Sequence, residues 1–129
     1  MSSLVLDASA LLALLHSEPG GDEAGHALKT EHCLISSVNL AEVAAKLADR
    51  GVPLETVREA LAAVDVEVVD FRASHAFLSG DLRSATRALG LSLGDRACLA
   101  TALEQRCAVL TADRAWASLD LRLDIRIIR

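Results

Sequence analysis

Short apolar runs recur along this chain, and each is followed within a few residues by a stretch of helical spacing; this alternation leaves few folds open. Leu4-Val5-Leu6 has the character of a buried strand, and the Ala/Leu-rich segment from Ala8 to about Ser17 follows helical spacing until Glu18-Pro19-Gly20-Gly21 breaks it. Asp22 to Thr30 reads as a second short helix and Cys33-Leu34-Ile35 as a second strand. Ser36 or Ser37 can then cap a helix over Val38 to Asp49, which Gly51 ends. Pro53 suits the first turn of an amphipathic helix running through Val64, with Leu54, Val57, Leu61 and Val64 as its apolar stripe. Val66 to Phe71 has β-branched strand content, Ser74 to Leu89 is helical up to Gly90, and Asp95 to Gln105 is a further helix. Val109-Leu110-Thr111 and Ile125 to Ile128 complete the strands. Strands alternating with helices predict an α/β fold, a three-layer α/β/α sandwich around a mostly parallel sheet, formed as one domain over residues 1–129.

In open sheets of this kind, ligands bind beyond the carboxyl ends of the strands, so polar residues there carry the functional question. Asp7 directly follows the first strand and Asp113 follows the fourth after one residue. Asp95 falls in the first turn of its helix, and Glu42 lies over a turn into another, among Val38, Ala41, Ala44 and Ala45, where its carboxylate is expected to face packed structure. Each acid has a plain structural use: Asp7 as a helix cap, Asp95 against a helix dipole, Asp113 in a turn, Glu42 paired with Lys46 at i+4. Gathered in one place, however, four carboxylates repel one another unless cations offset them. Mg²⁺ or Mn²⁺ prefers oxygen ligands and retains waters, and suits metal-assisted hydrolysis of a phosphodiester with no histidine base.

Composition narrows the alternatives. The net charge of −5 argues against a globally basic nucleic-acid binder, but residues 1–71 carry −8 and residues 72–129 carry +3. Arg83, Arg87, Arg96, Arg106 and Arg114 are candidates for a local phosphate-binding surface, with scattered solvated helix faces as the other reading. The apolar run Leu4 to Leu15 is interrupted by Asp7 and Ser9 and has no basic flank, which predicts neither signal peptide nor membrane span, and a cytoplasmic protein. Cys33, Cys98 and Cys107 are odd in number without Cys-x-x-Cys spacing, and His16, His26, His32 and His75 lack metal-ligand spacing. Reduced thiols and no zinc site follow.

Four segments carry a resemblance: Asp7 in Leu-Val-Leu-Asp-Ala-Ser, Glu42 in Asn-Leu-Ala-Glu-Val, Asp95 in Leu-Ser-Leu-Gly-Asp-Arg-Ala and Asp113 in Leu-Thr-Ala-Asp-Arg. In order and spacing they resemble the acidic motifs of the PIN-domain family, and length and context resemble the VapC-type toxins of toxin–antitoxin pairs. The resemblance implies a Mg²⁺- or Mn²⁺-dependent endoribonuclease acting on single-stranded RNA, usually a homodimer, inhibited by a cognate antitoxin. It makes Asp7, Glu42, Asp95 and Asp113 the metal-binding and catalytic acids. Ser9 takes the family's polar position two residues after the first aspartate, as a contact to a metal-bound water or as a plain cap. Gly94 stands where many members have alanine, and Trp116 where many have a different aromatic or aliphatic residue. Arg96 and Arg114, each adjoining a proposed ligand, are expected to hold the RNA backbone.

Two rivals remain at this level. A dehalogenase-like phosphoaspartyl phosphatase would use Asp7 as nucleophile, but wants a second acid where the chain has Ser9 and leaves Glu42 without a role. A catalytically weak PIN-fold module would keep the acids as fold elements and bind RNA or protein, the latter through the stripe Leu54, Val57, Leu61 and Val64 or through a groove for an antitoxin segment in the N-terminal half.

Overall fold

The computed structural model describes residues 2–129. Five strands, β1 (Ser3–Leu6), β2 (His32–Ser36), β3 (Val66–Val69), β4 (Ala108–Thr111) and β5 (Ile125–Ile127), form one sheet in the order β3-β2-β1-β4-β5. All four pairings are parallel. Helices α1 (Ala8–Leu15), α2 (Gly21–Thr30), α3 (Ser37–Asp49) and α4 (Leu54–Ala62) precede β3, and α5 (Ala73–Thr86) and α6 (Leu93–Gln105) connect β3 to β4.

The two-residue period of a strand explains the layering. Leu4, Leu6, Cys33, Ile35 and Leu110 point to the face covered by α1 to α4, where Ala10, Leu11, Ala24, Val43 and Val57 complete the core. Val5, Leu34, Val69 and Val109 point to the opposite face, packing with Leu82 of α5, Cys98 and Leu99 of α6, and the fully buried Trp116. The expected three-layer sandwich is therefore present. From β1 the chain winds outward to β2 and β3 under one helical layer, then returns under the other to β4 on the far side of β1. The switch in direction lies between β1 and β4, and in parallel sheets such a switch opens a crevice at the strands' carboxyl ends.

Several boundaries differ from the sequence reading for local reasons. Pro53 stays outside α4 as its extended N-cap, and α4 ends at Ala62, short of Val64. Strand pairing of β3 stops at Val69, two residues before Phe71. Helix α5 tightens into a 3-10 turn over Arg87–Leu89, which Gly90 closes in the left-handed conformation at φ 62°. Helix α6 begins at Leu93, so Asp95 is the third residue of a capping box with Ser92. A 3-10 turn over Arg114–Ser118, unmarked by any sequence period, carries Trp116 into the core. In the stripe of α4, Val57 is buried and Leu61 and Val64 pack against the core, leaving only Leu54, 60% exposed, free for a partner. Cys33, Cys98 and Cys107 are free thiols, and among the described residues no helix is long and apolar enough to cross a membrane.

Candidate active site

Asp7, Glu42, Asp95 and Asp113 line one cleft of about 230 Å³ at the carboxyl end of the sheet, together with Ser9, Asn39 and Lys46. Each acid arrives on a different element, and local structure fixes each by a bond to one carboxylate oxygen.

Asp7 ends β1 and caps α1. Its Oδ1 accepts from the Ala10 amide at 2.9 Å and the Ser9 hydroxyl at 2.7 Å, while Oδ2 accepts from the Thr111 hydroxyl at 2.6 Å. At 5% exposed it is the most enclosed of the four. Burial raises its pKa to about 6; the hydrogen bonds from Thr111, Ser9 and Ala10 restrain that rise, and the charge of Asp95 adds to it. Asp95 accepts from the Ser92 amide through Oδ2 at 3.0 Å, its half of the capping box. Asp113 accepts from the Ala115 amide through Oδ1 at 3.0 Å, capping the 3-10 turn. Glu42 accepts from Asn39 Nδ2 through Oε1 at 2.8 Å. Thus the capping role and a site role coexist: among the described residues no protein donor is bonded to Asp95 Oδ1, Asp113 Oδ2 or Glu42 Oε2, and Asp7 Oδ2 has one lone pair to spare.

Three residues that the sequence did not single out hold the cluster in place. Thr111, fully buried at the end of β4, donates to Asp7 and accepts from the Asp113 amide at 3.1 Å, tying two acids to one hydroxyl. Asn39, 1% exposed, donates through Nδ2 both to Glu42 and to the Gly94 carbonyl at 2.9 Å, joining α3 to the start of α6. Lys46 lies in the cleft without an ion pair to Glu42, so the i+4 pairing is absent and Glu42 is seated by Asn39 and Gly94 instead. Gly94 has a steric reason: a Cβ there would overlap the Glu42 carboxyl group.

The other expected contacts fall differently. Ser9 donates to Asp7 and accepts from the Ala112 amide at 2.9 Å, so its hydroxyl links β1 to the end of β4. Arg96 donates through Nη1 to the Ser79 carbonyl at 3.0 Å, which fastens α6 to α5. Arg114 is exposed beside Asp113 and uses Nε on the Arg129 carbonyl at 2.8 Å. Arg106 caps the C-terminal end of α6, eleven residues and about 16 Å along the helix from Asp95, so the five arginines do not share one surface with the cleft.

Electrostatics shows how closely the acids gather. Burial pushes the Cys98 thiol, beneath the cleft on α6, well above its ordinary value, and the charges of Asp7, Asp95 and Glu42 push it further. Cys98 is therefore an inert core thiol. Among the described residues no three acidic, histidine or cysteine side chains close a metal's inner shell unaided. That separation suits a hard cation that keeps several waters and takes only one or two carboxylates directly. The Asn39 Oδ1, buried without a partner, is a further acceptor in the same cleft. The donor set thus fits Mg²⁺ or Mn²⁺ held partly through water. Asp7, enclosed and bound by three donors, is poorly placed to act as a nucleophile, which removes the structural basis of the phosphoaspartyl reading.

A family model described as PIN domain matches residues 4–121. Among solved structures, a toxin–antitoxin complex from Klebsiella pneumoniae is 21% identical, with 98% of each chain covered and a TM-score of 0.75. VapBC-5 of the VapBC toxin–antitoxin family from Mycobacterium tuberculosis is 25% identical, covering 100% of this chain and 99% of that one, TM-score 0.67. VapC20 from the same organism, a toxin that cleaves the sarcin–ricin loop, is 16% identical over 91% and 96% of the two chains, TM-score 0.70. No curated protein matches the chain.

Proposed function

We propose, given that the chain belongs to the PIN-domain family, that it is a Mg²⁺- or Mn²⁺-dependent endoribonuclease acting on single-stranded RNA, and the toxin of a toxin–antitoxin pair. The observation that carries this reading is the convergence of Asp7, Glu42, Asp95 and Asp113, from four separate elements, on one cleft at the switch point of the sheet. A bound divalent ion supplies Lewis-acid chemistry to a phosphodiester and its attacking water. The chain's own part is to present carboxylate oxygens already fixed by caps and by the Thr111 and Asn39 side chains, so that little reorganisation is needed when substrate arrives. Lys46 supplies the positive charge within the cleft, and Arg114 stands exposed at the Asp113 side, where it can hold the RNA backbone.

Purified protein should cut a total-RNA pool in Mn²⁺ or Mg²⁺ and stop when chelator is added; a folded sample that cuts nothing in either ion speaks for the binding module instead. The same ions should raise the melting temperature, because they bind the gathered acids only in the fold. At ten times the dissociation constant the stabilisation is about 1.4 kcal/mol. A melt indifferent to both ions counts against a metal centre.

The partners in this reading are a cognate antitoxin and a second copy of the chain. The groove of about 490 Å³ between α2 and the end of α4, with Leu14, Gly25, Leu28 and Val64 among its walls, is the surface we assign to the antitoxin segment. Co-purification with the product of the neighbouring gene should slow amide exchange in α2 and α4. Protection elsewhere alone would move the interface.

A further inference from the structure

Asn39 is the one buried polar side chain of the cleft whose bonding is incomplete. Its Nδ2 spends both hydrogens, on Glu42 Oε1 at 2.8 Å and on the Gly94 carbonyl at 2.9 Å. Those two acceptors fix the orientation of the amide, since a flipped group would set Oδ1 against two oxygens. Oδ1 is left buried with no donor. An unpaired carbonyl in that setting costs about 1–3 kcal/mol, so a native site that retains one has a donor for it in the working state. Every other cleft carboxylate is an acceptor too, and the only cation lining the cleft, Lys46, is not bonded to it. What such a site lacks is a donor that carries positive charge alongside.

We propose that Asn39 is an outer-sphere residue of the metal centre: its amide nitrogen seats Glu42 against Gly94, and its Oδ1 accepts a hydrogen bond from a water in the hydration shell of the divalent ion. This rests on the metal-dependent reading above and assigns a role to a residue outside the four acids. Water bound to a cation is a strong donor, and a carbonyl that receives it orients the shell without displacing a ligand. The absence of a Cβ at Gly94 belongs to the same unit. An added methyl there would push Glu42 off its seat while leaving every polar group in place.

The test is Mn²⁺ affinity, read by calorimetry on the folded, RNA-free protein. Parent protein binds Mn²⁺ and Asp95→Asn weakens that binding; a parent that binds none overturns the metal reading and this one with it. Asn39→Ala is expected to weaken Mn²⁺ binding by about 10–100-fold, the usual cost of an outer-shell change. Gly94→Ala, which removes no hydrogen-bonding group, should weaken it in the same direction and keeps the test open if Asn39→Ala folds poorly. Mn²⁺ affinity within twofold of the parent in folded Asn39→Ala, or in folded Gly94→Ala, overturns the seat. A double-mutant cycle separates the two ends of the amide: with Glu42→Ala already present, Asn39→Ala should still weaken Mn²⁺ binding severalfold. No residual effect would overturn the water contact.

Discussion

Asp95→Asn is expected to lower RNA cleavage by on the order of 10²–10³-fold, since a metal-held phosphodiester owes several kcal/mol of transition-state stabilisation to its ion and each 1.4 kcal/mol is tenfold in rate. This position gives the cleanest test because its two functions use different parts of the group. Oδ2 completes the α6 capping box by accepting from the Ser92 amide, and an asparagine carbonyl can take over that bond. The Ser92 hydroxyl still accepts from the residue 95 amide. What disappears is the charge, and with it the anionic Oδ1 that no protein donor occupies. The variant should therefore keep the parent's circular dichroism and lose its cutting in Mn²⁺. Undiminished cleavage by folded Asp95→Asn would remove Asp95 from the machinery and leave it as a cap.

The fold was legible because the sequence carries its layering twice over. Val5 between Leu4 and Leu6, and Leu34 between Cys33 and Ile35, divide between the two cores as the period of a strand requires. The parallel order then places Asp7 and Asp113 side by side, since β1 pairs with β4 through Leu6 and Leu110. The rest of the site was less visible. Asn39 looks like any polar residue on a helix until Gly94, fifty-five positions away, is brought against it. Thr111 reads as the last residue of a strand, and its bond to Asp7 spans 104 positions. Arg96 misled by adjacency: neighbours on a helix point about 100° apart, so while Asp95 turns to the cleft, Arg96 turns to Ser79 of α5. Lys46 misled by spacing, because the i+4 partner it was given is held elsewhere. The 3-10 turn at Arg114–Ser118 is too short to show a period, though its single Trp was the clue to a buried anchor.

Capping and metal binding share the same carboxylates here, and this has a thermodynamic consequence. A cap needs one oxygen and an anion near helix amides; a hydrated cation needs the other oxygen and the same charge. The fold can thus hold the acids together without the ion, but at the cost of their mutual repulsion and, for Asp7, of burial.

The stability of the metal-free protein should consequently fall as pH rises across the weakly acidic range, and the fall should trace to Asp7. Burial raises its carboxyl to about 6 in the fold, against 3.8 in the open chain. Between those values the unfolded chain surrenders its proton while the native state keeps it, so increasing pH favours unfolding. The stabilisation from Asp7 is complete below about pH 3.8 and lost as pH climbs through 6, a total of roughly 3 kcal/mol for a shift of about two units. Other carboxylates titrate in the same interval, and Glu104 works in the opposite sense: partial burial disfavours its charge, but the Ser74 hydroxyl, His75 and Arg72 outweigh that and hold its carboxyl low. The contribution of Asp7 is therefore read as a difference. Urea melts of parent protein in chelator, taken from pH 4 to pH 7.5, should lose more stability than those of Asp7→Asn, which has no proton to release. The Asn side chain cannot accept from Thr111 through both atoms as the carboxylate does, so the variant sits on a lower or higher line overall; only the slope is diagnostic. Saturating Mn²⁺ should flatten the parent's slope as well, because an ion beside Asp7 stabilises the charged form in the fold. Equal slopes in chelator for parent and Asp7→Asn would show that Asp7 titrates alike in folded and open chains, and that its burial between β1 and β4 is relieved by water entering the cleft.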